Sequence, residues 1–251
     1  MKKNKFKSAL IIGMGLIGSS ISRAFKEKNI SDKIYGLDSN IDVINKCDEL
    51  SLLTQGETNI NNFNKQFDLV IICTPISTYK NVFRDLNDYI LEPTLITDVG
   101  STKVSVIEDY KKIINNKNIK FLPAHPIAGL EKSGPEHGFS KLFENRYCIV
   151  TPIDTDSVTY DSVTNMWSSL GMQVEKMIPT KHDKVLAMTS HIPQLIAYSV
   201  VATATELETH LKNEVIKFSA AGFRDFTRLA GSDPIMWRDI YENNKEAVLE
   251  M

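Results

Sequence analysis

The sequence predicts an α/β fold: a doubly wound, mostly parallel β-sheet followed by an all-helical C-terminal part. Three observations carry that reading. Apolar runs of strand length alternate with segments of helical periodicity up to about residue 178. A glycine-rich turn, Gly13-Met14-Gly15-Leu16-Ile17-Gly18, closes the first apolar run and opens the first helix. From Thr180 to the end the strand pattern stops and only helical periodicity remains.

The first strand, Ala9-Leu10-Ile11-Ile12, leads into that turn, and the second, Lys33 to Asp38, ends on an acidic residue twenty positions after Gly18. Two of the glycines let the chain turn tightly and let its backbone approach a pyrophosphate. The third lets helix and strand pack closely, and the helix N-terminus offers unpaired N–H groups to phosphates. This is the fingerprint of a Rossmann-type dinucleotide site, with Gly13, Gly15, Leu16, Ile17 and Gly18 at the pyrophosphate. Asp38 would accept hydrogen bonds from ribose hydroxyls and repel a 2′-phosphate, which favours NAD over NADP; its bland alternative is to start the Asp-Ser-Asn turn.

Phe67 to Cys73 reads as a buried strand, and Thr74 and Pro75 beyond its end are further candidates for the cofactor site. Val82 to Ile90 has helical spacing, Thr94 to Asp98 is a strand, Val104 to Ile114 a helix, and Ile119 to Ala124 a strand. Tyr147 to Thr151 and Gln173 to Ile178 are later strands around a helix near 158–170. These boundaries divide the chain into a dinucleotide-binding domain, 1–178, and a helical substrate and dimerisation domain, 179–251.

In the helical part Thr180 is expected to cap a helix with Asp183 at N3, and Val185 to Leu207 is apolar on nearly every face. Such a helix must be buried, inside its own domain or against a second copy, which predicts a homodimer through this part. Pro193 cannot donate to the carbonyl of Thr189, so a kink is expected at His191. The chain ends at Glu250-Met251 inside helical sequence with no stop signal, which leaves a further segment open.

At 251 residues and 42% hydrophobic, the chain can bury a full core. Its 29 basic and 31 acidic residues are interspersed, without the basic and aromatic interleaving that single-stranded nucleic acid requires. A small-molecule substrate is expected, with no nucleic acid and no membrane. The apolar N-terminal stretch is broken by glycines and Arg23, unlike a signal peptide, and no later segment is expected to span a bilayer. Cys47, Cys73 and Cys148 are odd in number and widely spaced, which suits reduced thiols in the cytoplasm.

Ligands of open parallel sheets sit beyond the carboxyl ends of the strands. Two segments qualify there. Ser101 follows the strand ending at Asp98, although Ser101 or Thr102 could equally cap the next helix. His125 follows the strand ending near Leu122, on a loop stiffened by Pro126, and an imidazole there is poised to take a proton from a substrate hydroxyl. His182 and His191, nine residues apart, fall on opposite helix faces, which disfavours a metal site; no metal is expected. Arg224 and Arg228, one helical turn apart, can present two guanidinium forks to carboxylates, or Arg224 can pair with Asp225 or Asp239. Met236-Trp237 reads as packing, and Arg146 as either an anion contact or a solvated strand end.

Taken together these segments resemble the prephenate and arogenate dehydrogenase family of tyrosine biosynthesis. The resemblance rests on five motifs in order: the glycine turn running on to Ser19-Ser20, Asp98-Val99-Gly100-Ser101-Thr102-Lys103, His125-Pro126-Ile127-Ala128-Gly129 with Glu131 and Ser133-Gly134, Ser190-His191-Ile192-Pro193-Gln194, and Gly222-Phe223-Arg224-Asp225-Phe226-Thr227-Arg228 continuing to Trp237. It implies an NAD-dependent oxidative decarboxylation of prephenate to 4-hydroxyphenylpyruvate, or of arogenate to tyrosine. It implies that His125 accepts a hydrogen bond from the substrate hydroxyl and that Ser101 orients the reacting groups. Arg228 matches the arginine for the substrate carboxylate and His191 the substrate-facing histidine of the helical domain, with Gly129, Glu131 and Arg224 as further substrate contacts. A regulatory domain after the helices, as in some members, is not expected. Two other readings compete: a β-hydroxyacid-type dehydrogenase, in which Lys181 or Lys184 would serve and His125 would go unexplained, and a catalytically inactive NAD-binding sensor.

Overall fold

A computed structural model describes residues 5–207 and 209–251. The first strand, β1 (Phe6–Ile12), runs into helix α1 (Leu16–Lys28), and β2 (Ser31–Leu37) into α2 (Ile41–Glu49). There follow β3 (Gln55–Glu57), β4 (Leu69–Ile72), α3 (Tyr79–Tyr89), β5 (Thr94–Asp98), α4 (Val104–Ile113) and β6 (Ile119–Leu122). These six strands form one parallel sheet in the order β3-β2-β1-β4-β5-β6. The order reverses between β1 and β4, so the crevice for a ligand opens past their carboxyl ends. β1 and β4 are buried on both faces, which is why they read as unbroken apolar runs: Ala9, Leu10, Ile11, Leu69, Val70, Ile71 and Ile72 are fully enclosed. The three-residue edge strand β3 is polar and carries no periodic signal in the sequence.

One strand divides where the sequence reads as continuous. Pro123 has no N–H to give the ladder, so β6 stops at Leu122 and the chain leaves the six-stranded sheet. The next three residues form β7 (Ala124–Pro126), antiparallel to β8 (Tyr147–Val150), which pairs in parallel with β9 (Gln173–Lys176). The later strands therefore make a separate three-stranded sheet instead of extending the large one. Between them lies α5 (Ser157–Ser169), capped by Asp156, whose carboxylate accepts from Thr159 N at 2.9 Å.

The helical part opens with α6 (Pro179–Leu186) and α7 (Ile192–Thr205), joined through a π-helical turn at Ala187–His191. Proline at the first position, its φ already helical, starts α6, so Thr180 lies inside the helix and does not cap it. The π-turn sits where the missing donor of Pro193 disturbs the α pattern, and it absorbs the disturbance without ending the helix. Pro179–Thr205 is consequently continuous over 27 residues and, by length and composition, long and apolar enough to cross a membrane. That corrects the expectation that no such segment exists. Met188, Leu195 and Ile196 on it are exposed, so the protomer itself does not bury this apolar surface. Next come α8 (Thr209–Lys217), α9 (Ala221–Ala230), α10 (Pro234–Asn243) and α11 (Lys245–Glu250). Gln194 Nε2 and Tyr198 OH donate to Leu229 O and Ser232 O at 2.8 and 2.9 Å and tie α7 to α9 and the turn after it. The chain divides into two compact units between His182 and Asp183.

Candidate active site

The glycine turn has the clearances a bound dinucleotide requires. Gly13 has φ +92°, and a Cβ there would lie 2.7 Å from the carbonyl carbon of Cys73 and 2.8 Å from Thr74 N. A Cβ on Gly18 would lie 2.0 Å from Gly13 O. Both positions are closed to any side chain, and at Gly13 the loops after β1 and β4 come together. Gly15 is the opposite case, with nothing within 4 Å of its Cβ direction, so the backbone there is open to a ligand. No side chain caps α1 at Gly15, and its first N–H groups have no partner within the helix. Asp38 follows β2, half-buried, with Oδ2 accepting from Met14 N at 2.9 Å and Oδ1 from Asn40 N at 3.0 Å. It therefore starts its turn and braces the glycine loop at once. Thr74, beside Gly13, accepts from Thr78 Oγ1 at 2.8 Å, and Pro75 is exposed.

His125 is in the middle of β7, opposite Ile149, and not on a loop as the sequence suggested. A strand flanked by prolines fixes the imidazole more firmly than a turn would. His125 is 8% exposed, and its Nδ1 lies 2.9 Å from Nε2 of His182, which is fully buried in the first turn of α6. The ring centroids are 5.1 Å apart at 63°. Sequence reasoning missed His182 because it was weighed only against His191 as a metal partner; the one available signal was a histidine just beyond the last strand, at the edge where ligands bind. Among the described residues no group of three or more His, Cys, Asp or Glu could hold a metal.

Ser101 is half-buried in the turn after β5. Neither it nor Thr102 caps α4, whose cap position is Lys103 with no side-chain cap bond; Thr102 Oγ1 instead lies 3.0 Å from Ser105 Oγ. Beneath this turn Asp98 and Lys103, both fully buried, form an ion pair at 2.6 Å. Burial first, and then the charge of Asp98, push the phenol of Tyr79 well above its usual range. Gly129 and Glu131 lie exposed on the segment after β7, and Arg146 is exposed just before β8.

In the second unit His191 is 1% exposed. Its Nδ1 is 3.0 Å from Asn244 Nδ2, its carbonyl accepts from Tyr241 OH at 3.2 Å, and its ring meets Trp237 edge-on at 6.0 Å. Trp237 is thus packing, as read, but packing against a candidate site residue. Burial, then the neighbouring Tyr198, raise the Tyr241 phenol to about 12. Arg224 and Arg228 are both exposed on α9. Among the described residues Asp225 pairs with Arg228 at 3.9 Å and Asp239 with Arg238 at 2.9 Å.

Residues 21–176 match the family model described as prephenate dehydrogenase, nucleotide-binding domain, and residues 178–251 the one described as prephenate dehydrogenase, dimerization domain. A cyclohexadienyl dehydrogenase of Zymomonas mobilis is 34% identical over 97% of this chain and 83% of its own length. A prephenate dehydrogenase of Bacillus subtilis is 34% identical over 98% of this chain and 67% of its own. Among solved structures, the prephenate dehydrogenase of Aquifex aeolicus in complex with hydroxyphenyl propionate and NAD+ superposes with a TM-score of 0.90 at 35% identity, covering 97% of this chain and 85% of that one.

Proposed function

This chain belongs to the prephenate dehydrogenase family, and from that premise we propose that it oxidises prephenate, the keto acid, with His125 as the proton acceptor. It is an NAD-dependent oxidoreductase of aromatic amino acid biosynthesis that acts on a small cyclohexadienyl substrate. Bound NAD supplies the hydride acceptor. The hydrogen on the ring carbon bearing the hydroxyl leaves as hydride while His125 takes the hydroxyl proton, and the oxygen regains that proton from His125 as the phenol of the product once the ring is aromatic. The carboxylate opposite departs as CO2, and its bonding pair enters the ring. Aromatisation supplies the driving force, so the protein has mainly to position, polarise and exclude water.

The observation that carries this reading is the buried contact between His125 Nδ1 and His182 Nε2. If the hydroxyl proton is taken at Nε2 of His125, its Nδ1 must carry a hydrogen and donate it to His182. His182 then holds the tautomer and spreads the positive charge that His125 acquires. Ser101 orients the reacting groups. Gly13, Gly15, Leu16, Ile17 and Gly18 would hold the pyrophosphate, with Thr74 and Pro75 beside them, and Asp38 would take the ribose hydroxyls. In the second unit Arg228, with Arg224, takes a substrate carboxylate and His191 is a further substrate contact; in the first unit Gly129 and Glu131 are. The protein is a homodimer through residues 179–251, and free Cys47, Cys73 and Cys148 suit a reducing cytoplasm.

The test is NADH absorbance on mixing protein with prephenate or arogenate, each with NAD and with NADP. Turnover of prephenate with NAD, and little with NADP, is expected. Turnover of arogenate alone would replace the substrate, and turnover of neither would reduce the protein to an NAD-binding module.

A further inference from the structure

The carboxylate of Asp98 at the end of β5 is fully buried and bonded on every side. Oδ2 accepts from Lys103 Nζ at 2.6 Å, from Gly100 N at 2.9 Å and from Tyr79 OH at 3.1 Å, while Oδ1 accepts from Ala124 N at 2.9 Å. Lys103, equally buried, also donates to Ala124 O at 2.7 Å. Both backbone polar groups of Ala124 are thus gripped by one ion pair. Ala124 precedes His125, and Gly100 precedes Ser101.

The topology explains why side chains perform this task. The ladder between β5 and β6 runs through Thr97 and Leu122 and meets Pro123 next, where no donor exists. Backbone pairing to β5 ends there, just before the residues that have to be held. Asp98 and Lys103 continue it with longer arms. An ion pair with both partners buried is a poor means of gaining stability, since desolvation consumes most of the attraction. Its geometric yield is larger, because a point charge with three donors reaches a carboxylate and a carbonyl together.

We propose that the Asp98–Lys103 pair is a positioning element that locks the Ser101 turn and the His125 strand to one another. This rests on the reading of His125 as proton acceptor. Displacement of a reacting group by about 1 Å costs on the order of 100-fold in rate, so loosening the lock is expected to lower kcat by about that factor without weakening cofactor binding.

The experiment removes both charges at once, in Asp98→Asn combined with Lys103→Met, because either change alone can leave an unpaired buried charge. Circular dichroism, the Kd for NAD and the KM for prephenate are expected to stay near wild type, with kcat reduced about 100-fold. In nitrogen-edited NMR of free protein the His125 ring signals move and those of His191 do not, a signature that general loss of packing would not give. A folded double variant with kcat within about threefold of wild type and unmoved His125 signals overturns the proposal. Should the double variant fail to fold, Tyr79→Phe removes a single bond to Asp98: a shifted His125 signal with a several-fold lower kcat supports the lock, and no change in either overturns it. The NMR arm needs no turnover, so it reads the lock even if wild-type protein proves inactive on prephenate, which would defeat the functional reading alone.

Discussion

Nδ1 of His125 and Nε2 of His182 lie 2.9 Å apart with both rings buried. Two neutral imidazoles can share one hydrogen bond only if one nitrogen is protonated and the other is not, so each ring dictates the tautomer of its neighbour. His125→Asn should lower kcat by about two orders of magnitude or more with the Kd for NAD nearly unchanged. His182→Leu should reproduce part of that loss, while His182→Gln, which keeps an acceptor, should recover some of it. Steady-state kinetics with calorimetric NAD binding decide the point, and an active His125→Asn enzyme removes the residue from the chemistry.

That pair also marks the limit of what could be read in the chain. The parallel sheet, the cofactor turn and the buried character of β1 and β4 follow from apolar runs and glycine spacing, which are local signals. His182 is 57 residues from His125, and nothing in either neighbourhood announces the other. The division at Pro123 was legible in principle, since a residue without a donor must end a ladder; the apolar run through Ala124 concealed it. Likewise Pro193 marks a disturbance in the helix, but a π-turn and a kink answer the same missing hydrogen bond, and the sequence does not choose between them.

The glycine turn separates two kinds of damage. Gly18→Ala would place a methyl carbon 2.0 Å from Gly13 O, and something in the fold must shift, so a clear loss of Tm is expected together with loss of NAD binding. Gly15→Ala meets nothing within 4 Å and should leave Tm near wild type. Its methyl group occupies the space through which a pyrophosphate approaches, and a rise in the Kd for NAD of about tenfold, or about 1.4 kcal/mol, is expected. Thermal scans with and without NAD distinguish the two, and unchanged affinity in Gly15→Ala would move the pyrophosphate elsewhere.

Asn244 assigns the protons of His191. Its amide nitrogen donates to Asp183 O at 2.9 Å, which fixes the amide orientation, because a flipped side chain would set oxygen against oxygen. The second amide hydrogen then faces His191 Nδ1 at 3.0 Å, so Nδ1 accepts and the ring hydrogen is on Nε2. Asn244→Leu should leave a mixture of tautomers in nitrogen-edited NMR and raise the KM for prephenate more than it lowers kcat. A wild-type spectrum with hydrogen on Nδ1 contradicts the assignment outright.

The three thiols should resist modification while the chain is folded. Burial, and then the charge of Asp38, push Cys47 up to about 11; burial pushes Cys73 and Cys148 up as well, with Asp98 adding to Cys73. A thiol whose value rises on folding favours the folded state fully below its unfolded value of about 8.5, and that contribution is lost as pH climbs through the folded value. A disulfide-exchange reagent at pH 8 should therefore titrate almost no thiol in native protein and all three after denaturation, and Tm should decline between about pH 9 and 11. Rapid native labelling of Cys47 would show that α2 opens readily.

Arg228 offers the sharpest test of the second unit. Its contact with Asp225, at 3.9 Å between exposed side chains, is worth no more than about 0.5 kcal/mol, little beside what a substrate carboxylate can offer the guanidinium. A bidentate pair with that carboxylate is worth more, about 1.5–3 kcal/mol for a hydrogen bond to a charged group, which corresponds to roughly a 10- to 150-fold change in affinity. Arg228→Ala should accordingly raise the KM for prephenate within that range while kcat falls less, because the carboxylate is held in the ground state as well as the transition state. Arg228→Lys keeps the charge without the planar fork and should fall between the two. Asp225→Ala should change little. If Arg228→Ala leaves KM unaltered, the carboxylate contact passes to Arg224, one turn earlier on the same face of α9, and the same measurement on Arg224→Ala decides it.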